Sequence, residues 1–254
     1  MSLELALALP TTRDEEWRYA DSAAIARLTP DDLAAWKDVS LAAGETRRHA
    51  MVVGGSSPEL HRIRLRLAPG ARGELFVVVV GDDYTRVECE VVLGQGAHFE
   101  MGGVTIGGGD ATREIVTRVR HAGQGSTSHQ VVRSVHWAQA TGNFLGRIEV
   151  AREGQQTDAA QDFKGLLLTR GASANARPEL EIFADDVKCA HGASIGQLDE
   201  AARFYMAARG ISADAAKALL VQAFIADALA ALDDDGERER LFAVALASLE
   251  GAAL

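Results

Sequence analysis

The spacing of apolar and polar positions changes twice along the chain. Over residues 13 to 43, Trp17, Ala20, Ala24 and Leu28 recur at three- and four-residue intervals, the pattern of helix with one buried side. Thr29-Pro30-Asp31-Asp32 then offers a capping hydroxyl, a proline suited to a first helical position and an acidic residue three after the cap, which predicts a second short helix. From about residue 46 to 196 the period falls to two. Ile63 to Leu67 alternate with arginines and Val77 to Val80 form a β-branched run. Val87 to Leu93, Val104/Ile106, Ile115 to Val119, Val131 to Val135, Phe144 to Val150, Leu166 to Leu168 and Leu180/Ile182 complete about nine predicted strands. Glycines stand between them, and no intervening segment is long and periodic enough for a crossover helix. An all-β middle follows, either a sandwich or a parallel β-helix; without a strict repeat, periodicity does not choose.

After Gly196 the helical pattern returns. Leu198, Ala201, Ala202, Tyr205 and Met206 form a stripe ending at Gly210, a suitable residue just past a helix end. Ser212 caps a longer predicted helix with Ala215, Leu219, Leu220, Ala223, Phe224 and Leu229 on one face, and a last helix is predicted over 237 to 249. The organisation read from these patterns is an N-terminal helical segment (1–45), a β core (46–196) and a C-terminal helical domain (197–254) whose stripes pack on one another and on the sheet.

Composition removes several classes of function. The 254 residues carry a net charge of −10, which repels phosphate backbones and anionic membrane surfaces, so neither nucleic acid nor membrane is an expected partner. Two cysteines 100 positions apart, Cys89 and Cys189, make no disulfide framework. The short apolar stretch at the N-terminus carries Glu4 and lacks a basic flank, which argues against an export signal, and no run is long enough to span a bilayer. A cytoplasmic chain is expected.

Four groupings carry possible chemistry. Gly192-Ala-Ser-Ile-Gly196 has the form of a nucleophile elbow, but all seven histidines precede Ser194, whereas that arrangement places its histidine after the serine; a turn is the better reading. Asp185 and Asp186, with Glu181 upstream, could serve acid/base chemistry in a β-helix enzyme acting on a carbohydrate or small molecule, although adjacent carboxylates on a strand point to opposite sides. Gly102 to Asp110 faintly resembles a calcium-binding nonapeptide, but occurs once and reads as a corner. Cys189 and His191 differ. Two apart on extended chain, they project to one side with about 6 to 7 Å between Cα atoms, close enough to share a metal, yet two ligands do not complete a site.

The stretch Leu180-Glu-Ile-Phe-Ala-Asp-Asp-Val-Lys-Cys-Ala-His-Gly-Ala193, followed by Gly196-Gln-Leu-Asp199 and Phe204-Tyr-Met-Ala-Ala-Arg-Gly-Ile211, closely resembles the SufD branch of the SufB/SufD family of the SUF iron–sulfur cluster assembly system. The likeness extends through Gly146 to Val150, Gln156 to Gln161, Leu166 to Leu168 and Ala218 to Phe224, and more faintly to Glu15-Glu-Trp-Arg-Tyr19. The resemblance implies a right-handed parallel β-helix core flanked by helices, and a non-enzymatic scaffold role. It implies pairing with SufB through the β-helix and with the SufC ATPase through the C-terminal helices, where Phe204, Tyr205, Arg209, Gly210, Leu219 and Phe224 are the candidate contacts. Cys189 and His191 fall on the family's cysteine and histidine at the SufB interface. There they are candidate shared ligands of a transient cluster that the isolated chain does not hold stably. The chain is shorter than the usual family member, Ala190 stands where the family usually has serine, and an isolated chain could homodimerise through the surface meant for SufB.

Overall fold

The computed structural model describes residues 9–250 and 252, and its alternating middle winds into a parallel β-helix. Twelve strands occur among the described residues: β1 Lys37–Leu41, β2 Thr46–Val53, β3 Glu59–Leu67, β4 Arg72–Val79, β5 Thr85–Leu93, β6 His98–Gly107, β7 Thr112–His121, β8 Thr127–His136, β9 Thr141–Val150, β10 Asp158–Leu167, β11 Ser173–Ile182 and β12 Lys188–Gly196. They fall alternately into two six-stranded sheets, ordered β1-β3-β5-β7-β9-β11 and β12-β10-β8-β6-β4-β2. Every neighbouring pair is parallel. Each strand therefore bonds the one two further on, as in the β-helix the resemblance implied and unlike the hairpins of a sandwich. Lys37 lies beside Ile63, twenty-six residues on, but Thr141 lies beside Ser173, thirty-two on. The rungs lengthen along the axis, which is why no fixed period is visible in the sequence.

Alternate side chains fill the lumen. Leu65, Leu75, Val77, Val91, Phe99 and Met101 are buried there, and Phe144 stacks on Phe163 with ring centroids 5.4 Å apart. Cys89 belongs to this core, and burial, helped by Glu90 and Glu88, pushes its thiol far above the ordinary range. It is an inert apolar filler.

The N-terminal segment, residues 1–45, departs from the helical expectation. Helix occurs only as a 3-10 turn at Glu15–Trp17, α1 Ser22–Ile25 and α2 Pro30–Ala34, and residues 37–41, expected within the helical segment, form β1. New caps break the run: Asp21 accepts from Ala23 and Ala24, and Thr29 and Asp32 form the anticipated reciprocal box. Trp17, Ala20, Ala24 and Leu28 are nevertheless buried together, with Ile25 and Tyr84, as a strap rather than one helix. The Trp17 ring lies 4.0 Å from the guanidinium carbon of Arg86, which bonds the Glu16 carbonyl, while Asn143 donates to the Tyr19 carbonyl. The apolar stretch around Glu4 lies outside the described residues.

Three helices follow the last strand: α3 Glu200–Ala207, α4 Ala213–Leu229 and α5 Asp235–Ala247, with Ser212 capping α4 as expected. Phe76, Val78, Val104, Ile106 and Val135 on the outer face of the β2-to-β12 sheet pack against Val221, Ile225, Leu229, Leu241 and Ala245. The approach is so close that a Cβ on Gly102 would lie 1.9 Å from the Ala228 carbonyl oxygen. Gly102 and Gly103 thus belong to β6, and only the end of the Gly102-to-Asp110 stretch makes a corner. The buried side of α4 is Ala216, Val221, Ile225, Ala228 and Leu229. Of the predicted face only Leu229 is buried, and Ala215, Leu219 and Ala223 face solvent. No helix among the described residues is long and apolar enough to cross a membrane.

Candidate functional site

Cys189 and His191 lie on β12, which pairs with β10 along one edge and, among the described residues, with nothing along the other. In register, Cys189 stands beside Ala159 and His191 beside Gln161. Both neighbours are buried in the lumen, and neighbouring positions in a parallel ladder share a face, so Cys189 and His191 both point to the lumen side at its open end. Among the described residues no further rung covers them. Cys189 is consequently half-buried against Ile148, Val150, Ala159 and Ala184, while His191 is exposed.

The thiol is not primed within this chain. Burial and the Asp158 carboxylate raise its pKa, and a hydrogen bond from the Ala159 backbone only partly opposes them. Iron placed against the sulfur would reverse that balance, since a coordinating thiol is held deprotonated. Thiolate and imidazole are both ligand types used by iron–sulfur clusters. They are also only two donors: among the described residues no group of three or more His, Cys, Asp or Glu is placed to hold a metal.

One rung inward the lumen turns polar in a way the sequence reading missed. Gln161 and the Gln130 beside it are buried, yet neither the oxygen nor the nitrogen of either amide has a hydrogen-bond partner. Buried amides ordinarily find partners, so unmet polar capacity next to His191 marks this end of the lumen as chemically different from the apolar middle. The available signal was a polar residue in the inward phase of alternation, as in Ala159/Gln161/Phe163.

The other sequence candidates are dispersed. Glu181 is exposed near the end of β11, and Asp185 and Asp186 are exposed in the corner leading to β12. The Asp186 backbone closes that corner, its N–H donating to Gln155 Oε1 at 3.0 Å and its carbonyl accepting from the Gln156 N–H at 2.6 Å. Ser194 sits inside β12 rather than at a strand-to-helix elbow. On the helices, Phe204, Tyr205 and Leu219 are exposed at 78%, 58% and 47%, and the Arg209 guanidinium lies 3.5 Å from the Tyr205 ring centroid. Gly210 adopts φ +81°, the left-handed conformation that ends the helical region after α3. Phe224 differs from these: it is partly buried against the sheet, 5.9 Å from the Arg133 guanidinium.

Residues 47–224 match the family described as SUF system FeS cluster assembly, SufBD core domain. The chain is 39% identical over 100 residues to the iron-sulfur cluster assembly protein SufD of Escherichia coli, covering 39% of this chain and 24% of that protein. It is 28% identical over 153 residues to SufD of Bacillus subtilis, covering 60% of this chain and 35% of that protein. A match to SufD of Plasmodium falciparum, 23% identical, covers 75% of this chain and 13% of that protein. The matched stretch is thus about a third or less of each relative's length.

Proposed function

Because the chain belongs to the SufBD core family of the SUF system for iron–sulfur cluster assembly, we propose that it is a non-enzymatic, SufD-type scaffold subunit working in the cytoplasm. It pairs with SufB through the open edge of β12 and with the SufC ATPase through its C-terminal helices. The observation that carries this reading is that the Cys189/His191 pair, a thiol and an imidazole short of a full ligand set, stands on a terminal strand whose far edge is unpaired among the described residues. A partner strand laid along β12 would cover both side chains and add donors of its own. The transient cluster is cargo held between two proteins, and the isolated chain retains none.

The two edges at this end are not equivalent. β11 carries Pro178 in mid-strand, and a residue without an N–H blunts an edge against pairing, whereas β12 has no such device after Lys188. The proposed SufC surface centres on α3, which has no buried residue and shows Phe204 and Tyr205 to solvent. Exposed aromatics on a helix without a buried face have the character of binding hot spots. Arg209 orders Tyr205, Leu219 extends the surface onto α4, and Phe224 and Gly210 position it from beneath and from the end. Only Gln197, Leu198 and Asp199 separate β12 from α3, so an event on SufC has a short covalent path to the cluster site. Turnover through Glu181, Asp185 and Asp186 has no comparable support, since two of the three serve a corner.

Co-expression with SufB and SufC tests the proposal, read by size and by visible absorbance. Cys189→Ala or His191→Ala is expected to lower cluster yield by several-fold while the complex keeps its size. Full yield in both variants, or no complex at all with the unaltered chain, would sink it.

A further inference from the structure

The corner from β6 to β7 and the end of α5 enclose a cleft of about 430 Å³, bordered by Gly107, Gly108, Gly109, Arg113, Trp137 and Ser248. Arg113 is only 1% exposed, yet it forms no ion pair among the described residues, and its Nε and Nη1 have no hydrogen-bond partner. Arg86, equally buried, also has an Nε and an Nη2 without a hydrogen-bond partner, but its charge is matched: Nη1 donates to Glu114 at 3.0 Å, Glu88 lies 3.7 Å from Nε, and the guanidinium covers Trp17. A buried guanidinium with no carboxylate paired to it is one of the most costly groups a fold can carry, so Arg113, unlike Arg86, calls for a counter-charge supplied from outside. Burial lowers the pKa of Arg113 only to about 10, with Asp82 acting in the opposite sense, so the group is cationic at neutral pH.

The loop facing it is pared to make room. A Cβ on Gly107 would lie 2.3 Å from Arg113 Nη2, and one on Gly108 would lie 2.1 Å from Trp137 Nε1, so only hydrogen at these positions leaves both donors in place. Trp137 Nε1 has no hydrogen-bond partner among the described residues. The corners on either side are laced by Asp82 N–H to the Gly55 carbonyl at 2.9 Å and by Gln139 N–H to the Gly109 carbonyl at 2.8 Å. No such bond joins the Gly109 N–H to Asp82 among the described residues, and that amide stays available beside the cleft.

We propose that this cleft is an oxyanion site, in which Arg113, the Trp137 indole N–H and the Gly109 amide receive a phosphate or carboxylate group of a small molecule. A guanidinium fork matches either group, and glycine-rich turns supply backbone donors to such ligands. The cleft is larger than a free phosphate, which leaves space for the body of the molecule that carries the group. Asp82 and Glu250 at the rim set a limit on the ligand's remaining negative charge.

Titration of the purified chain with sodium phosphate or sodium acetate, against sodium chloride at matched ionic strength, tests the site by thermal unfolding and tryptophan fluorescence. A saturable response beyond that of chloride is expected, and the stronger of the two anions identifies the group bound. Arg113→Gln should weaken the response at least tenfold. If that variant does not fold, Arg113→Lys, which keeps the charge but not the fork, should weaken binding by a similar factor. A response no larger than that of chloride, or equal affinity in whichever variant folds, overturns the proposal.

Discussion

His121 and His136 show how single residues fix the pH range of the fold. His121 lies between the hydroxyls of Ser126 and Ser128, 2.9 Å from each, and His136 reaches Thr105 at 3.1 Å and the Gly107 carbonyl at 3.1 Å. Burial pushes their pKa values down to about 4 and about 3, with Arg113 adding to the effect on His136. Both are neutral in the folded chain, while the unfolded chain takes up protons near pH 6.5. Between those values the unfolded state binds more protons, so the stabilisation is complete above about pH 6.5 and is lost as pH falls towards 4. His129, raised by its hydrogen bond to Glu100, contributes in the opposite sense, but it is half exposed and its part is small. Glu100, held at about 2 because the bonds from His129 and His98 together outweigh its burial, loses stabilisation only below about pH 4.3, outside this window. Denaturant titrations at pH 7 and pH 5 should therefore differ by about 2 to 4 kcal/mol, at about 1.4 kcal/mol per pKa unit. His121→Gln should flatten the slope, and equal stability at the two pH values would refute the account.

At the scale of elements, Gly102 governs how the helical layer sits on the β-helix. A Cβ there would meet the Ala228 carbonyl at 1.9 Å and the Phe76 ring at 2.6 Å, so Gly102→Ala must lift α4 or displace Phe76. Overpacking of this kind costs about 1 to 3 kcal/mol. Hydrogen exchange should then accelerate in α4 while the strands stay protected; unchanged protection in α4 would show that the contact is not limiting. The sequence could not reveal this glycine, because in a chain with 25 of them a corner and a close backbone approach look alike. It equally misdirected α4. That helix carries Ala, Leu, Val, Ile and Phe on nearly every side, so spacing alone favoured Ala215/Leu219/Leu220/Ala223/Phe224 over the side that meets the sheet. Strands β3 to β11 were legible because inward β-branched and aliphatic residues alternate with polar ones or, as in β4, form a continuous β-branched run. β1 was hidden by the helical spacing before it, β2 by its Thr-Arg-Arg-His start, and β12, Lys-Cys-Ala-His-Gly-Ala-Ser-Ile-Gly, has almost no intrinsic strand preference. β12 is a strand because β10 offers it a ladder. The Cys189/His191 pair could be seen in the sequence as two residues sharing a face, but the open edge it stands on follows from the order of strands and could not.

For the whole molecule, the strand order leaves the end of the β-helix that bears the site with one edge unpaired among the described residues. Lys188 N–H donates to the Thr157 carbonyl at 2.8 Å, and alternation along β12 then puts the N–H groups of Cys189, His191, Ala193 and Ile195 on the unpaired side. A proline at one of these positions removes a donor that a partner would use and spares the ladder to β10. If the proposed pairings hold, Ala193→Pro is therefore expected to leave a folded chain that keeps SufC binding through α3 and α4 but pairs with SufB at least tenfold more weakly. Ala190→Pro, whose N–H faces β10, should destabilise the terminal rung itself. Light scattering of the chain alone and mixed with each partner separates the cases. If the isolated chain dimerises through the same edge, Ala193→Pro should also make it monomeric, because an unpaired ladder does not distinguish a second copy from a paralogue except by side chains. Undiminished SufB pairing in Ala193→Pro would mean that the partner docks elsewhere, and that Cys189 and His191 meet it from the open lumen rather than along the strand.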